Sequence, residues 1–191
     1  MRQVGNLAQK YNLKVHIDGA RIFNAAIALK LDVKDLLCEA DSVMFCLSKG
    51  LSAPVGSIVC GGKDFIHKTR KWRKMVGGGM RQSGHLAAAG IIALNNLTER
   101  LEEDHSNAQN LAQGLASLKG IVLKPELIKT NIIFFRLENL NIKPESFLKN
   151  LEAQGIKILM IHEGVFRIVL HREISEHQVK LVIKAITVLT K

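Results

Sequence analysis

Asp41-Ser-Val-Met-Phe-Cys-Leu-Ser-Lys-Gly50 is an apolar run that delivers one amine, Lys49, to a turn through Gly50. Upstream, Lys14-Val-His-Ile-Asp-Gly-Ala20 has the same form and delivers one carboxylate, Asp18. Short apolar runs that end at glycine read as buried strands leading into turns. Helical spacing over residues 20–29 lies between them, so the unit reads strand–helix–strand and belongs to the α/β class. In a parallel sheet, ligands sit outside the carboxyl ends of the strands. Both Asp18 and Lys49 fall at such ends.

A lone amine and a lone carboxylate at that place suit a carbonyl cofactor such as pyridoxal phosphate. Its aldehyde condenses with a lysine, and its ring nitrogen takes an acidic partner. A carboxylate about 4 Å from a cation gains roughly 4 kcal/mol at an effective dielectric of about 20. That is near three pKa units, enough to keep the ring nitrogen protonated. The same spacing also suits an N-cap aspartate after a strand and a surface lysine in a turn. Arg21, three residues after Asp18, falls on the first turn of the following helix and faces the same cleft.

The remaining pattern places a helix at 4–11, a third strand at 57–60 and a helix at 64–76 capped by Asp64. Gly77-Gly-Gly79 stops that helix. Residues 86–118 are helical but change character near Thr98, from an Ala-rich apolar stretch that reads as buried to the charged Glu99-Arg-Leu-Glu-Glu-Asp-His105. A domain boundary is expected there, with 1–98 as part of a large domain and 99–191 as a small α+β domain. The latter reads β, β, α, β, β, α: strands at 122–123, 132–137, 156–161 and 165–170, a helix at 144–153, and a final helix from Ser175 to about residue 189.

The 191 residues are 47% hydrophobic and carry a net charge of +10, which excludes a disordered chain and favours anionic ligands. No apolar run approaches the roughly 20 residues of a membrane span. Cys38, Cys46 and Cys60 lack paired-Cys spacing, and core thiols in a reducing compartment are expected. The seven histidines show no metal-ligand spacing, so no metal is expected. There is no GxSxG, which counts against a serine hydrolase. His67-Lys-Thr-Arg-Lys-Trp-Arg-Lys74 is a basic run holding the single tryptophan. It reads as a solvated or interface-facing helix, or as a nucleic-acid-binding face with the cations on phosphates and Trp72 for stacking. Gly77-Gly-Gly-Met-Arg81 lets backbone approach a phosphate but lacks the Lys-Ser/Thr ending of a P-loop. Arg167, inside Val165-Phe-Arg-Ile-Val-Leu170, is a buried arginine in need of an anion, either a ligand carboxylate or a structural partner.

Three runs in order, His16-Ile-Asp-Gly-Ala-Arg-Ile-Phe-Asn-Ala25, Ser48-Lys-Gly-Leu-Ser-Ala-Pro-Val-Gly56 and Gly77-Gly-Gly-Met-Arg-Gln82, together resemble the low-specificity L-threonine (L-allo-threonine) aldolases. The later Arg167-Ile-Val-Leu-His171 looks like that family's C-terminal arginine strand. The resemblance implies a pyridoxal-phosphate enzyme of the aspartate-aminotransferase-like fold type I. It implies that Lys49 holds the cofactor and Asp18 pairs with its ring nitrogen, with Arg21 close by. It implies that Arg21 and Arg167 bind the substrate carboxylate, and that Lys74 and Arg81 lie at or near the active site and dimer interface. The reaction would be retro-aldol cleavage of threonine or allo-threonine to glycine and acetaldehyde, in threonine catabolism and glycine formation. A homodimer or homotetramer is the implied assembly, cytoplasmic or mitochondrial, with no nucleic-acid and no membrane partner.

The resemblance covers only the family's C-terminal portion. Its phosphate-gripping loop and its ring-stacking histidine have no counterpart here, so the chain is expected to be a fragment lacking a full active site. Two other functions are compatible with the residues: a basic nucleic-acid-binding module, and a non-catalytic subunit docking on a full-length homologue.

Overall fold

The structure is a computed structural model and describes residues 1–190. It divides into two compact units, Met1–Arg100 and Leu101–Lys191.

The first unit runs α1 (Arg2–Lys10), β1 (His16–Asp18), α2 (Ile22–Leu29), α3 (Val33–Leu36), β2 (Ser42–Cys46), β3 (Ser57–Gly61), α4 (Lys63–Met75) and α5 (Gly84–Asn96). β1 and β2 pair in parallel, with Ile17 opposite Val43 and Asp18 opposite Met44. β3 pairs antiparallel to β2, giving the order β1-β2-β3. The parallel pair closes tightly at its carboxyl end. The Gly19 N–H donates to the Met44 carbonyl at 2.8 Å. A Cβ at Gly19 would lie 2.9 Å from that same oxygen, 3.1 Å from Ile22 Cβ and 3.2 Å from Val43 Cγ2. Glycine is required there by the close approach of two backbones.

Several expectations are corrected in this unit. β1 is not buried: His16 and Asp18 are exposed and Ile17 is half-buried. Arg21 is the N-cap residue of α2 rather than part of its first turn. Gly62, not Asp64, is the N-cap of α4. α3 is an element beyond those expected, and Asp32 marks its start by accepting the Lys34 N–H at 2.8 Å. The three cysteines are not core thiols: Cys38 and Cys60 are exposed and Cys46 is half-buried. Nor is α5 buried, since Ile91 and Ile92 are 59% and 58% exposed. The differences in burial share one physical reason. The unit's buried apolar set is largely small side chains, Ala8, Ala26, Ala53 and Ala93 with Val43, Leu47 and Leu51. β3 has every residue exposed, and α4 buries none of its own.

The second unit runs α6 (Leu101–Ala116), β4 (Ile121–Val122), a 3₁₀ turn at Pro125–Leu127, β5 (Ile132–Leu137), α7 (Pro144–Glu152), β6 (Leu159–His162), β7 (Val165–Val169) and α8 (Glu176–Leu189). Its sheet is antiparallel throughout, in the order β4-β5-β7-β6. Strand alternation sorts its side chains by face. Ile133, Phe135, Phe166 and Ile168 point to the core with Leu111, Leu115, Phe147 and Ile186 of the helices. Phe166 stacks on Phe135 at 5.1 Å and meets Phe147 edge-on at 5.2 Å. Each such ring contributes roughly 1.5–3 kcal/mol by burial. The Ser175 side chain accepts the Gln178 N–H, and the Gln178 side chain accepts the Ser175 N–H at 2.7 Å, a reciprocal cap that starts α8.

Candidate functional site

β1 ends at Asp18 and β2 ends three residues before Lys49. Because the two strands are parallel neighbours, the carboxylate and the amine leave the same end of the sheet. Asp18 is fixed by its own turn: Oδ1 accepts the Ala20 N–H at 3.1 Å, the local bond that Asp makes readily. That is its one side-chain hydrogen bond among the described residues, so Oδ2 is open to a ligand.

Lys49 sits in a loop closed at its base. The Gly56 carbonyl accepts the N–H groups of Leu47 and Ser48 at 2.9 and 3.3 Å. The Ala53 N–H donates to Leu47 O at 3.0 Å, and the Ser52 N–H to Lys49 O at 2.9 Å. Gly56 has φ +106°, which glycine alone adopts without strain. Leu47, Gly50 and Leu51 are buried, while Lys49 is exposed. The loop therefore anchors its apolar residues and presents the amine outward. No ion pair or hydrogen bond engages that amine among the described residues. Sequence reasoning located the lysine but not this closure; Pro54-Val-Gly56 was the available signal.

Arg21 is half-buried between Asp18 and α2, and its carbonyl accepts the Asn24 N–H at 3.0 Å. Lys74 lies in the last turn of α4 and Arg81 beyond the glycines, both exposed. The glycine run folds back over Lys74: the Gly78 N–H donates to Arg73 O at 2.8 Å, and a Cβ at Gly79 would lie 2.8 Å from Lys74 Cδ. This run follows a helix C-terminus, where the dipole disfavours anions. Contact with a phosphate here would therefore come from the Lys74 and Arg81 side chains rather than from the glycine backbone.

Arg167 is in the second unit. It points to the sheet face opposite the helices, paired with Phe134 of β5 on one side and Leu159 of β6 on the other. It is half-buried rather than buried. Phe134 and Leu159 are 49% and 57% exposed. The same face carries Arg136, which sequence reasoning did not single out.

The donor set fits part of a pyridoxal-phosphate site. One unengaged amine and one carboxylate share one sheet end, the two groups that an aldehyde and a ring nitrogen would call for. Magnitude shows what the fit lacks. With Asp18 exposed, its attraction for a ring cation falls from about 4 kcal/mol towards the roughly 1 kcal/mol of bulk water. Full strength needs a cover that excludes water. Among the described residues no group of three His, Cys, Asp or Glu is placed to hold a metal, and no helix is long and apolar enough to cross a membrane.

Residues 1–138 match the beta-eliminating lyase family. The chain belongs to that family. Low-specificity L-threonine aldolase 1 of Arabidopsis thaliana is 45% identical over 178 residues, which are 93% of this chain and 50% of that protein. The low specificity L-threonine aldolase of Escherichia coli K12 is 40% identical over 178 residues, covering 93% and 51%. A solved Listeria monocytogenes protein described as an L-allo-threonine aldolase superposes with a TM-score of 0.80 at 19% identity, over 97% of this chain and 54% of that one. A structure of SPT with PLP gives a TM-score of 0.73 at 20% identity, over 98% and 50%. The fold is the α/β fold type I of pyridoxal-phosphate proteins, over about half its length. The chain likewise spans about half the length of the curated relatives it matches.

Proposed function

We propose that this beta-eliminating lyase family chain supplies the lysine and the acidic residue of a pyridoxal-phosphate site in an aldehyde-lyase. The substrate would be L-threonine or L-allo-threonine, and the products glycine and acetaldehyde. The observation that supports this best is the shared sheet end of Asp18 and Lys49, with the amine free and its loop pinned. Bound there, the cofactor would supply an electron sink for breaking the Cα–Cβ bond of a β-hydroxy amino acid. Lys49 would hold the cofactor's aldehyde carbon. Asp18 would keep the ring nitrogen protonated. Arg21 and Arg167 would bind the substrate carboxylate, and Lys74 and Arg81 would favour phosphate or substrate. The functional assembly would be a homodimer or homotetramer that excludes water from Asp18.

The test is chemical trapping. The purified chain is incubated with pyridoxal phosphate, reduced with borohydride and mapped by mass spectrometry. The expected label is on Lys49. Labelling spread over other lysines, or undiminished in Lys49→Ala, rejects the assignment. Threonine cleavage that persists undiminished when the protein is diluted to monomers would reject the part of the proposal in which a second copy covers Asp18.

β3, open on both faces and one edge, favours a second reading, a subunit that docks on a full-length homologue. Co-purification with such a homologue supports it, and a clean monomer in its presence rejects it. Trp72, 62% exposed within the basic helix, is what a nucleic-acid-binding module would rest on. Salt-independent or absent binding rejects that alternative.

A further inference from the structure

The second unit carries a groove that uses none of the residues assigned above. The segment after α7, the end of β7 and α8 line an open groove of about 510 Å³, inside the ~300–1,000 Å³ range of small-ligand sites. Ile158, Leu170 and Val182 contribute to an apolar wall. Every ionisable residue lining it is basic: Lys157, His171 and Lys184. Neither lysine has an ion pair among the described residues. The Glu173 N–H donates to His171 Nδ1 at 3.4 Å. That contact occupies Nδ1 and leaves Nε2 as the ring's second polar atom.

An apolar groove with cationic and donor groups and no carboxylate selects a ligand with an aliphatic body and an anionic head. A neutral hydrocarbon would gain nothing from the three basic side chains, which are exposed at the rim, and a dicarboxylate would bury a charge against the apolar wall. We propose that this groove binds a small amphiphilic carboxylate, an unbranched aliphatic acid, with its chain against Ile158, Leu170 and Val182 and its head between Lys157, His171 and Lys184.

The test is calorimetric titration of the purified chain with hexanoate, octanoate and octan-1-ol. Saturable one-to-one binding of octanoate is expected. Each added CH₂ strengthens binding about fourfold if buried, so octanoate should bind roughly tenfold or more tighter than hexanoate. Octan-1-ol should bind more weakly than octanoate. Combined Lys157→Glu and Lys184→Glu changes should weaken octanoate about three- to tenfold and leave octan-1-ol unchanged. Leu181→Trp, at the lining, should abolish both. Three results overturn the proposal: no saturable octanoate binding, no chain-length dependence, or equal affinity for acid and alcohol in the unaltered chain. The last comparison needs no variant, so it decides the matter even if the charge-reversed chain misfolds.

Discussion

Replacing Gly19 by alanine tests the geometry that brings Asp18 and Lys49 to one end of the sheet. The new methyl would stand 2.9 Å from the Met44 carbonyl oxygen, with Ile22 Cβ at 3.1 Å and Val43 Cγ2 at 3.2 Å. Two of these neighbours can give by a rotamer or helix shift, but the carbonyl belongs to the β2 backbone. Relief therefore means moving the β1 end away from β2 and stretching the 2.8 Å Gly19–Met44 hydrogen bond. Overpacking costs about 1–3 kcal/mol and the bond about 1 kcal/mol more, so Gly19→Ala should destabilise by roughly 2–4 kcal/mol. Urea unfolding followed by far-UV circular dichroism reads this directly. Amide exchange at residue 19 should rise with it. Gly84→Ala is the matched control: a Cβ there meets nothing within 4 Å, and helix propensity makes the change neutral to about 1 kcal/mol stabilising. If Gly19→Ala unfolds within about 0.5 kcal/mol of the parent, the close approach of β1 and β2 at the carboxyl end of the pair is wrong.

The other predictions are simpler. Ser175→Ala removes the reciprocal cap of α8 and should cost about 1 kcal/mol, read as a shift in the urea midpoint. Burial holds the His105 imidazole below its ordinary value, with Glu102 pulling partly the other way. The unfolded chain thus takes up that proton first as pH falls below about 6.5, and stability declines from there down to the folded-state value. His105→Gln should flatten that stretch, by no more than about 1.4 kcal/mol per pH unit for one proton. The Asp41 carboxyl is held below its usual range by its bonds to Lys14 and to the Val15 N–H. Asp41→Ala should therefore loosen the lead into β1, seen as faster exchange at the Val15 amide.

Much of the second unit was legible because its signals are local. Alternation in Ile132-Ile-Phe-Phe-Arg-Leu137 gives a strand with one buried face. Pro144 and Ser175 announce helices by chemistry that acts within one turn. The first unit was legible in outline, with β1 and β2 falling inside the two apolar runs that end at Gly19 and Gly50. Its burial was not legible, since an apolar run such as Val59-Cys60 or Ile91-Ile92 says only what a residue could be packed against. The site shows the same division. Asp18 and Lys49 stand where apolar runs stop at glycine, so spacing found them. The Gly56 carbonyl that closes the Lys49 loop was missed because Pro54-Val-Gly56 signals a turn but not which N–H groups its carbonyl accepts. The outward face of Arg167 follows from its register with Phe134, which depends on a pairing between segments more than thirty residues apart.

The two units bury very different material, an aromatic trio in one and mostly alanines in the other. Conformational opening is least costly where least apolar surface is lost. Transient unfolding should therefore begin in Met1–Arg100 and leave Leu101–Lys191 as the protease-resistant remnant. On the proposed function, Asp18 and Lys49 belong to the labile part. A ligand at 100 times its dissociation constant adds about 2.7 kcal/mol to whatever binds it. Occupancy would then act as a survival signal, with cofactor supply setting how long the lysine-bearing half persists.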